Sequence, residues 1–471
     1  MRRFTVTALG VASLLLTACG GGEAAPDAAA PNPDAQLREI YKELVEINTA
    51  PSGSTTVAAE AMAARLRAAG FPEADVQVLG PRPERGNLVA RLRGNGRARP
   101  MMLLGHLDVV EARREDWSYD PFMLQELDGY FYGRGTLDDK SMCAIWVASL
   151  IRLKQEGWIP DRDIIIALTA AEEEGAGPDN GAQWLLTNHP GLVDAEFVLN
   201  EGGGGQIKSG KNIANAVQAS EKVYQTYRFE VRNPGGHSSR PSKNNAIYRL
   251  TEGLSRLAKY DFPVALNEVT AGYFKQMAEI EKGQLAADML AITGPRPPAA
   301  ATERLSASPY YNALMRTTCV ATQLEAGHAE NALPQTARAT VNCRVLPGVP
   351  VEEVLATLVR IVADGEIAIT PVEEATPSPP SPLNPAIMKP IAALTEEFWP
   401  GVPVLPSMST GATDGLFYRK AGIPVYGVSG LFVDIDDNRA HGKDERVGVR
   451  QLYESREFLY RLVKVLSAPS S

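Results

Sequence analysis

Three glutamates, Glu172 to Glu174, stand in a row in TAAEEEGAG directly after the apolar run IIIAL. Like charges this close repel, so the spot calls for positive charge from elsewhere. The chain offers further groups of the same kind. GHLDVV sets His106 and Asp108 one residue apart. On a strand both would point to one side, where the carboxylate can accept the second imidazole N–H and fix the ring for a metal. GRGTLDDK holds Asp138 and Asp139 before a helix, NEGGGG holds Glu201, and RAHGKDERV holds His441 near the C-terminus. Singly, these are ordinary loop or helix-capping residues. Together, two histidines and several carboxylates with no cysteine among them match the ligand set of a hydrolytic metal site, and one bridging carboxylate lets such a set hold two divalent ions. Those ions supply the charge that the glutamates need.

Such groups need elements to position them. From Leu37 the pattern alternates helices (LREIYKELVEI, VAAEAMAARLRAAG, MCAIWVASLIRLKQEG, AQWLLTNH) with apolar strands (NLVARLRG, MMLLGHLDVV, DIIIALTA, EFVLNEGG). This predicts an α/β layer fold with strands buried on both faces, in which sites form beyond the carboxyl ends of the strands. His106, Asp108, the glutamate triplet and Glu201 all fall at such ends. After Lys222 the order becomes β-α-β-β-α-β, a ferredoxin-like unit through EIAITPVEEA, interrupted at about 261–311 by a Pro/Ala-rich, partly helical insertion without an assigned place. Beyond PSPPSPLNP, helix and strand resume with PAIMKPIAALTEEF and GIPVYGVSG. The chain leaves its first domain, builds a second and returns. The expected divisions are 37–221, 222–375 and 376–471.

The 471 residues exceed one ordinary core, and a formal charge of -9 without basic runs argues against nucleic-acid binding. Arg2 and Arg3, the apolar FTVTALGVASLLL and then LTAC resemble a bacterial lipoprotein signal over 1–18, with lipidation at Cys19 and a flexible tether over 19–36. The expectation is an exported, periplasmic protein that meets the membrane only through a lipid anchor. Cys143 reads as core. Cys319 and Cys343 sit where neighbouring strands could bring them together, and sequence leaves their pairing open.

The ordered motifs GHLDVV, WSYDPF, GYFYGRGTLDDKS, LTAAEEEG, LNEGG, NPGGHSSRPS, ENALP, VNCRVLPG, TGATDGLFYRKAGIPVYG and AHGKDERV resemble those of the dinuclear zinc peptidase family M20, which includes glutamate carboxypeptidase, carnosine-type dipeptidases, aminoacylase and succinyl-diaminopimelate desuccinylase. The resemblance spans Leu37 to the last helix, apart from the insertion. It implies a zinc-peptidase catalytic domain with a mixed sheet between helices, interrupted by a ferredoxin-like α+β lid and dimerisation domain. It also implies two Zn²⁺ ions, with cobalt or manganese as alternatives. Asp138 would bridge them, His106 and Glu201 would hold one, and a triplet glutamate with His441 the other. Asp108 would orient His106, and Asp139 would be a neighbour. His237 in NPGGHSS would reach a partner subunit's site in a homodimer. Arg344 would clamp a substrate carboxylate, with Asn331 and Gly411 lining the same pocket.

The triplet departs from the family's usual pair and admits two registers. Counting from the strand makes Glu172 the general base and Glu173 the ligand; counting back from Gly175 makes Glu173 the base and Glu174 the ligand. The first is preferred, because the strand is rigid and the loop beyond it absorbs an insertion. The function expected is hydrolysis of the amide of a small peptide or N-acyl amino acid bearing a free carboxylate. A dipeptidase or carboxypeptidase and an aminoacylase are not separated, and the rival from another class is an inactive binding module on the same fold. His189 is expected in an exposed turn; His328 carries no assignment.

Overall fold

The computed structural model describes residues 32–468, besides positions 1 and 5. The signal segment 1–18, Cys19 and most of the tether lie outside the described residues. The tether was expected to run to residue 36, but the first helix, Pro33–Glu46, already includes its end. Asn32 caps that helix by accepting the Asp34 N–H at 2.9 Å, and proline at the first helical position suits a helix start.

A ten-stranded mixed sheet organises the larger part. At its centre Met101–His106 runs parallel to Ile164–Thr169 on one side and to Phe197–Asn200 on the other, and Val425–Gly427 continues the parallel set. The first two are buried at every position. Alternation divides them between two cores. Met101, Leu103, Ile164, Ile166 and Leu168 face a core shared with Trp146 and Phe458, while Met102, Leu104, Ile165 and Ala167 face Leu185, Phe417 and Tyr418. Covered on both faces, this sheet has only its strand ends free for chemistry. Helix Lys140–Gln155 is buried nearly all round, between the sheet and helices Pro33–Glu46 and Val449–Ser467.

The second sheet has four antiparallel strands, Val223–Arg232, Thr318–Ala326, Thr336–Val345 and Ile367–Pro371, with helices Ala246–Leu257 and Val351–Val362 packed against it. Counted along the chain, the strands lie in the spatial order fourth, first, third, second, as in a ferredoxin-like unit. Cys319 faces Cys343 across two of these strands and is disulfide-bonded to it, whereas Cys143 is free and buried.

The insertion forms four helices, Glu268–Ile280, Gly283–Ile292, Ala299–Ser306 and Pro309–Met315. They send Phe274, Met289, Leu305 and Leu314 into the large core, so these helices extend the ten-stranded body although their sequence interrupts the other one. No helix among the described residues is long and apolar enough to cross a membrane.

Candidate metal centre

His106 ends its strand and is 2% exposed. Its Nδ1 lies 3.0 Å from the backbone carbonyl of Asp108, which holds the proton on Nδ1 and turns the Nε2 lone pair outward. Nε2 then meets Asp138 Oδ1 at 3.0 Å and Glu201 Oε1 at 3.8 Å. Gly105 makes room behind the ring: a Cβ there would come within 2.9 Å of Asp139 Oδ2 and 3.1 Å of Cys143 Sγ.

The role expected for the Asp108 carboxylate needs correction. The strand stops at His106, so the alternation that would have put both side chains on one side does not reach residue 108. The nearer carboxylate oxygen is 3.8 Å from Nδ1 and serves a different purpose. Asp108 accepts the backbone N–H groups of Glu172 at 3.1 Å and Glu173 at 3.0 Å. Ala171, at φ 57°, turns the chain as it leaves its strand, and Asp108 pins the two residues that follow. The carboxylate thus positions the glutamates, while its own carbonyl positions the histidine.

The triplet separates in space. Glu173 Oε1 lies 3.0 Å from His441 Nε2, and the same nitrogen lies 3.0 Å from Asp138 Oδ2. Glu174 points away and pairs at 2.7 Å with Arg85, a guanidinium 5% exposed, so it is not simply solvated. Glu172 lines a cavity with Glu173 and His441. Two groups of three donors result, His106–Asp138–Glu201 and Asp138–Glu173–His441, sharing Asp138 through its two oxygens, with all donors of a group within 4.8 Å of one another. Asp139 is buried at the start of its helix and belongs to neither.

These residues fit a pair of cations. Glu173 Oε1 is buried without a hydrogen bond of acceptable geometry, although an imidazole nitrogen is 3.0 Å away. The charges tell the same story. Burial, then the charge of Glu201, pushes the Glu172 carboxyl well above the ordinary range, and burial with the charges of Asp138 and Asp139 does the same to Glu201. Burial would depress the His106 imidazole, but the Asp138 hydrogen bond and the charges of Glu201 and Glu172 outweigh it and hold it well above 6.5. His441 is raised to about 10 by the carboxylates of Asp138 and Glu173, each 3.0 Å from its Nε2. Protons thus do the work that divalent ions do better, since imidazole and carboxylate oxygens in this number are cation ligands.

Three participants carried no sequence signal strong enough to single them out. Glu445, fully buried, pairs with Arg134 at 2.6 Å and accepts the N–H groups of Gly135 at 3.1 Å, Leu137 at 2.7 Å and Asp138 at 3.0 Å, which fixes the loop carrying the shared carboxylate. Asp414, in the quoted TGATD, accepts from Thr169 at 2.6 Å and Asn180 at 2.8 Å behind the glutamates; burial pushes it up to about 6. Lys222 is the single residue between the long strand Lys211–Glu221 of the large sheet and Val223–Arg232 of the small one. It is 1% exposed, its Nζ donates to the Arg316 carbonyl at 2.8 Å, and no acid among the described residues pairs with it; burial, then Arg344, lowers its pKa to about 7.

Lys222 and Arg344 face the glutamates across a cavity of about 650 Å³, in which Tyr224 stacks on the Arg344 guanidinium with 4.7 Å to the ring centroid. Gly411 lines it too. Asn331 and His237 do not. They sit on a separate exposed hairpin, where the Ser238 N–H bonds the Asn331 carbonyl at 3.0 Å and His237 Nδ1 accepts from Ser239. His189 is half-buried against Trp184 rather than exposed, and His328 is exposed.

Fold and site define a metal-dependent hydrolase of the α/β class. The chain belongs to the family described as Peptidase family M20/M25/M40, whose model matches residues 102–465. It is 31% identical over 381 residues to the N-fatty-acyl-amino acid synthase/hydrolase PM20D1 of Homo sapiens, covering 78% of this chain and 74% of that protein. It is 25% identical over 416 residues to carboxypeptidase S of Saccharomyces cerevisiae, covering 78% and 71%. Among solved structures it resembles the M20 family metallo-carboxypeptidase Sso-CP2 of Sulfolobus solfataricus, with a TM-score of 0.68 at 16% identity, over 92% of this chain and 99% of that one.

Proposed function

We propose that this chain is an exported dinuclear zinc amidohydrolase that cleaves the amide of an N-acyl amino acid or small peptide bearing a free carboxylate. The observation that carries the reading is the shared Asp138, one oxygen toward His106 and the other toward His441, beside a cavity whose far wall presents Arg344 and Lys222. Two divalent cations held by His106, Asp138, Glu201, Glu173 and His441 would polarise the amide carbonyl and bring the attacking water's pKa toward about 7. Zinc suits imidazole and carboxylate without thiolate, as cobalt and manganese do to a lesser degree.

Glu172 is the general base. It stands on the cavity wall beside the cluster without being one of its donors, held by Asp108 through its own N–H, and it takes the water's proton and passes it to the leaving amine. Arg344 offers a planar fork to the substrate carboxylate, and the buried Lys222, without an acidic partner among the described residues, adds a second positive charge. The names of the relatives support a carboxylate-bearing substrate in both forms, an N-acyl amino acid and a peptide C-terminus. An inactive binding module would have lost a donor or the base; each is present here.

His237 lies outside its own chain's cavity, on an exposed hairpin, which supports its acting on a partner subunit's site in a homodimer, as a donor to the oxyanion of the tetrahedral intermediate. Export and a lipid anchor at Cys19 rest on the sequence of residues 1–19, and Gly20 after the cysteine favours the outer membrane. Elemental analysis, together with turnover of dipeptides, N-acyl amino acids and their carboxamide analogues, tests the reading. Close to two transition-metal ions per chain are expected, with the free acids hydrolysed far faster than the carboxamides. Active enzyme without transition metal contradicts it.

A further inference from the structure

Cys319 and Cys343 take no part in the chemistry above, yet their neighbours do. Along the strand Thr336–Val345 the residue after Cys343 is Arg344, and along Thr318–Ala326 the residue before Cys319 is Thr318. The two strands pair so that Cys319 stands opposite Cys343 and Thr318 opposite Arg344. Because side chains alternate, the disulfide lies on the helix-covered face with Cys343 fully buried, and Arg344 points to the other face, toward Tyr224 and the glutamates. Lys222 depends on the same stretch. Its Nζ donates to the Arg316 carbonyl at 2.8 Å and lies 3.3 Å from Thr318 Oγ1, so both acceptors fall within three residues of Cys319. Thr317 adds a tie, its Oγ1 accepting the Leu346 N–H at 3.1 Å.

The strand that begins with these residues is otherwise weakly held. It is the edge of the four-stranded sheet, its ladder with Thr336–Val345 breaks at a bulge between Ala321 and Gln323, and from Val320 to Ala326 every residue is exposed. Edge strands with exposed backbone hydrogen bonds open locally at little cost. A covalent tie at Cys319 stops such opening from reaching Thr318. We propose that the Cys319–Cys343 disulfide is a positioning device for substrate recognition: it fixes Arg344 and the acceptors of Lys222 in one register, and so sets affinity for the substrate carboxylate without touching substrate or metals. This role rests on the reading of Arg344 and Lys222 as the carboxylate clamp. A purely stabilising cross-link would raise Tm and leave the preference for a carboxylate unchanged. Oxidising compartments outside the cytoplasm preserve such a bond, in keeping with the proposed export.

Turnover of N-hexanoylphenylalanine, leucyl-phenylalanine and their carboxamides tests this in metal-loaded wild type, Cys319→Ser and the double variant Cys319→Ala with Cys343→Ala. In both variants KM for the free acids should rise by about tenfold, the scale on which a charge-assisted hydrogen bond counts, while kcat stays within about twofold. Metal content should stay close to two ions. The preference for acid over carboxamide in kcat/KM should fall by about tenfold as well. Cys319→Ser keeps the buried Cys343 and serves as the measure should the double variant not fold. Alkylation of denatured wild type without reductant, read by mass spectrometry, should find Cys143 modified and Cys319 joined to Cys343. Alkylated Cys319 and Cys343, an unchanged preference in the folded variants, or a fall in kcat or metal content in place of the rise in KM overturns the role of the disulfide and leaves the amidohydrolase reading intact. Wild type that cleaves acid and carboxamide alike, or neither, overturns the carboxylate clamp instead, and the role of the disulfide falls with it.

Discussion

Asp138 faces two histidines with two oxygens, and the consequences are electrostatic. Without cations the cluster retains protons: His441 is held to about 10 by Asp138 and Glu173, His106 is raised despite its burial, and burial lifts Glu172 and Glu201. Each of these groups binds its proton more tightly folded than unfolded. Their stabilising contribution is therefore complete below the unfolded values, about 4.5 for glutamate and 6.5 for histidine, and is lost as pH rises through the folded ones. Asp138, held low by the histidines after burial is outweighed, has the opposite sign, and its contribution is lost only in acid. The metal-free protein should show a Tm that falls steadily between about pH 6.5 and 10, by a modest amount because His441 is half-exposed. The metal-loaded protein should gain stability over the metal-free one as pH rises, since its ligands must lose those protons. Calorimetric scans with and without chelator measure both slopes; a metal-free Tm that climbs across this range contradicts the assignment.

At the scale of elements, the buried parallel strands were legible because Ile164, Ile165 and Ile166 or Met101 to Leu104 form apolar runs that only a doubly covered sheet accommodates. The strand ends then located His106, Glu172, Glu173 and Glu201. What the sequence hid were contacts across long separations. Asp108 looked like the partner of a histidine two residues away, and its real partners are backbone N–H groups more than sixty residues on. Glu445 looked like any acid in a charged loop, and the helices of the insertion gave no sign of which core they join. Glu445 carries a prediction. Because its carboxylate fixes the backbone of Leu137 and Asp138, Glu445→Gln should weaken metal binding by about 10–100-fold, the usual effect of removing a partner behind the ligands, and excess zinc should restore activity. Competition against a chelator measures the affinity, and an unchanged affinity would remove Glu445 from the account.

For the whole molecule, the metal centre lies beside two cavities: one carries Arg344 and Lys222, and the other mixes Met142, Ile145 and Leu459 with Asp139, Asp434 and several serines. The single residue Lys222 joins the long strand of the large sheet to the first strand of the small one. The exposed hairpin with His237 points to a further level of organisation. His237→Ala should lower turnover by about 10²–10³-fold, as loss of an oxyanion donor does, with metal content intact. Mixed with His106→Ala, it should regain part of the activity, because one subunit then supplies the histidine and the other the metals. Verified heterodimers without recovery would place the action of His237 within one chain.

The central claim, that Glu172 moves the proton while Glu173 holds a metal, is tested most directly by metal content measured beside turnover in Glu172→Gln, Glu173→Gln and Glu174→Gln. Glu172→Gln should keep close to two ions and lose at least about 10²–10⁴-fold in turnover, the share of general-base catalysis. Glu173→Gln should lose metal from one site and recover only partly with added zinc. Glu174→Gln should keep its metals and most of its activity, since its carboxylate pairs with Arg85 and is in neither group of donors. Loss of metal in Glu174→Gln together with an active Glu172→Gln would contradict the account and shift both roles one residue along the triplet.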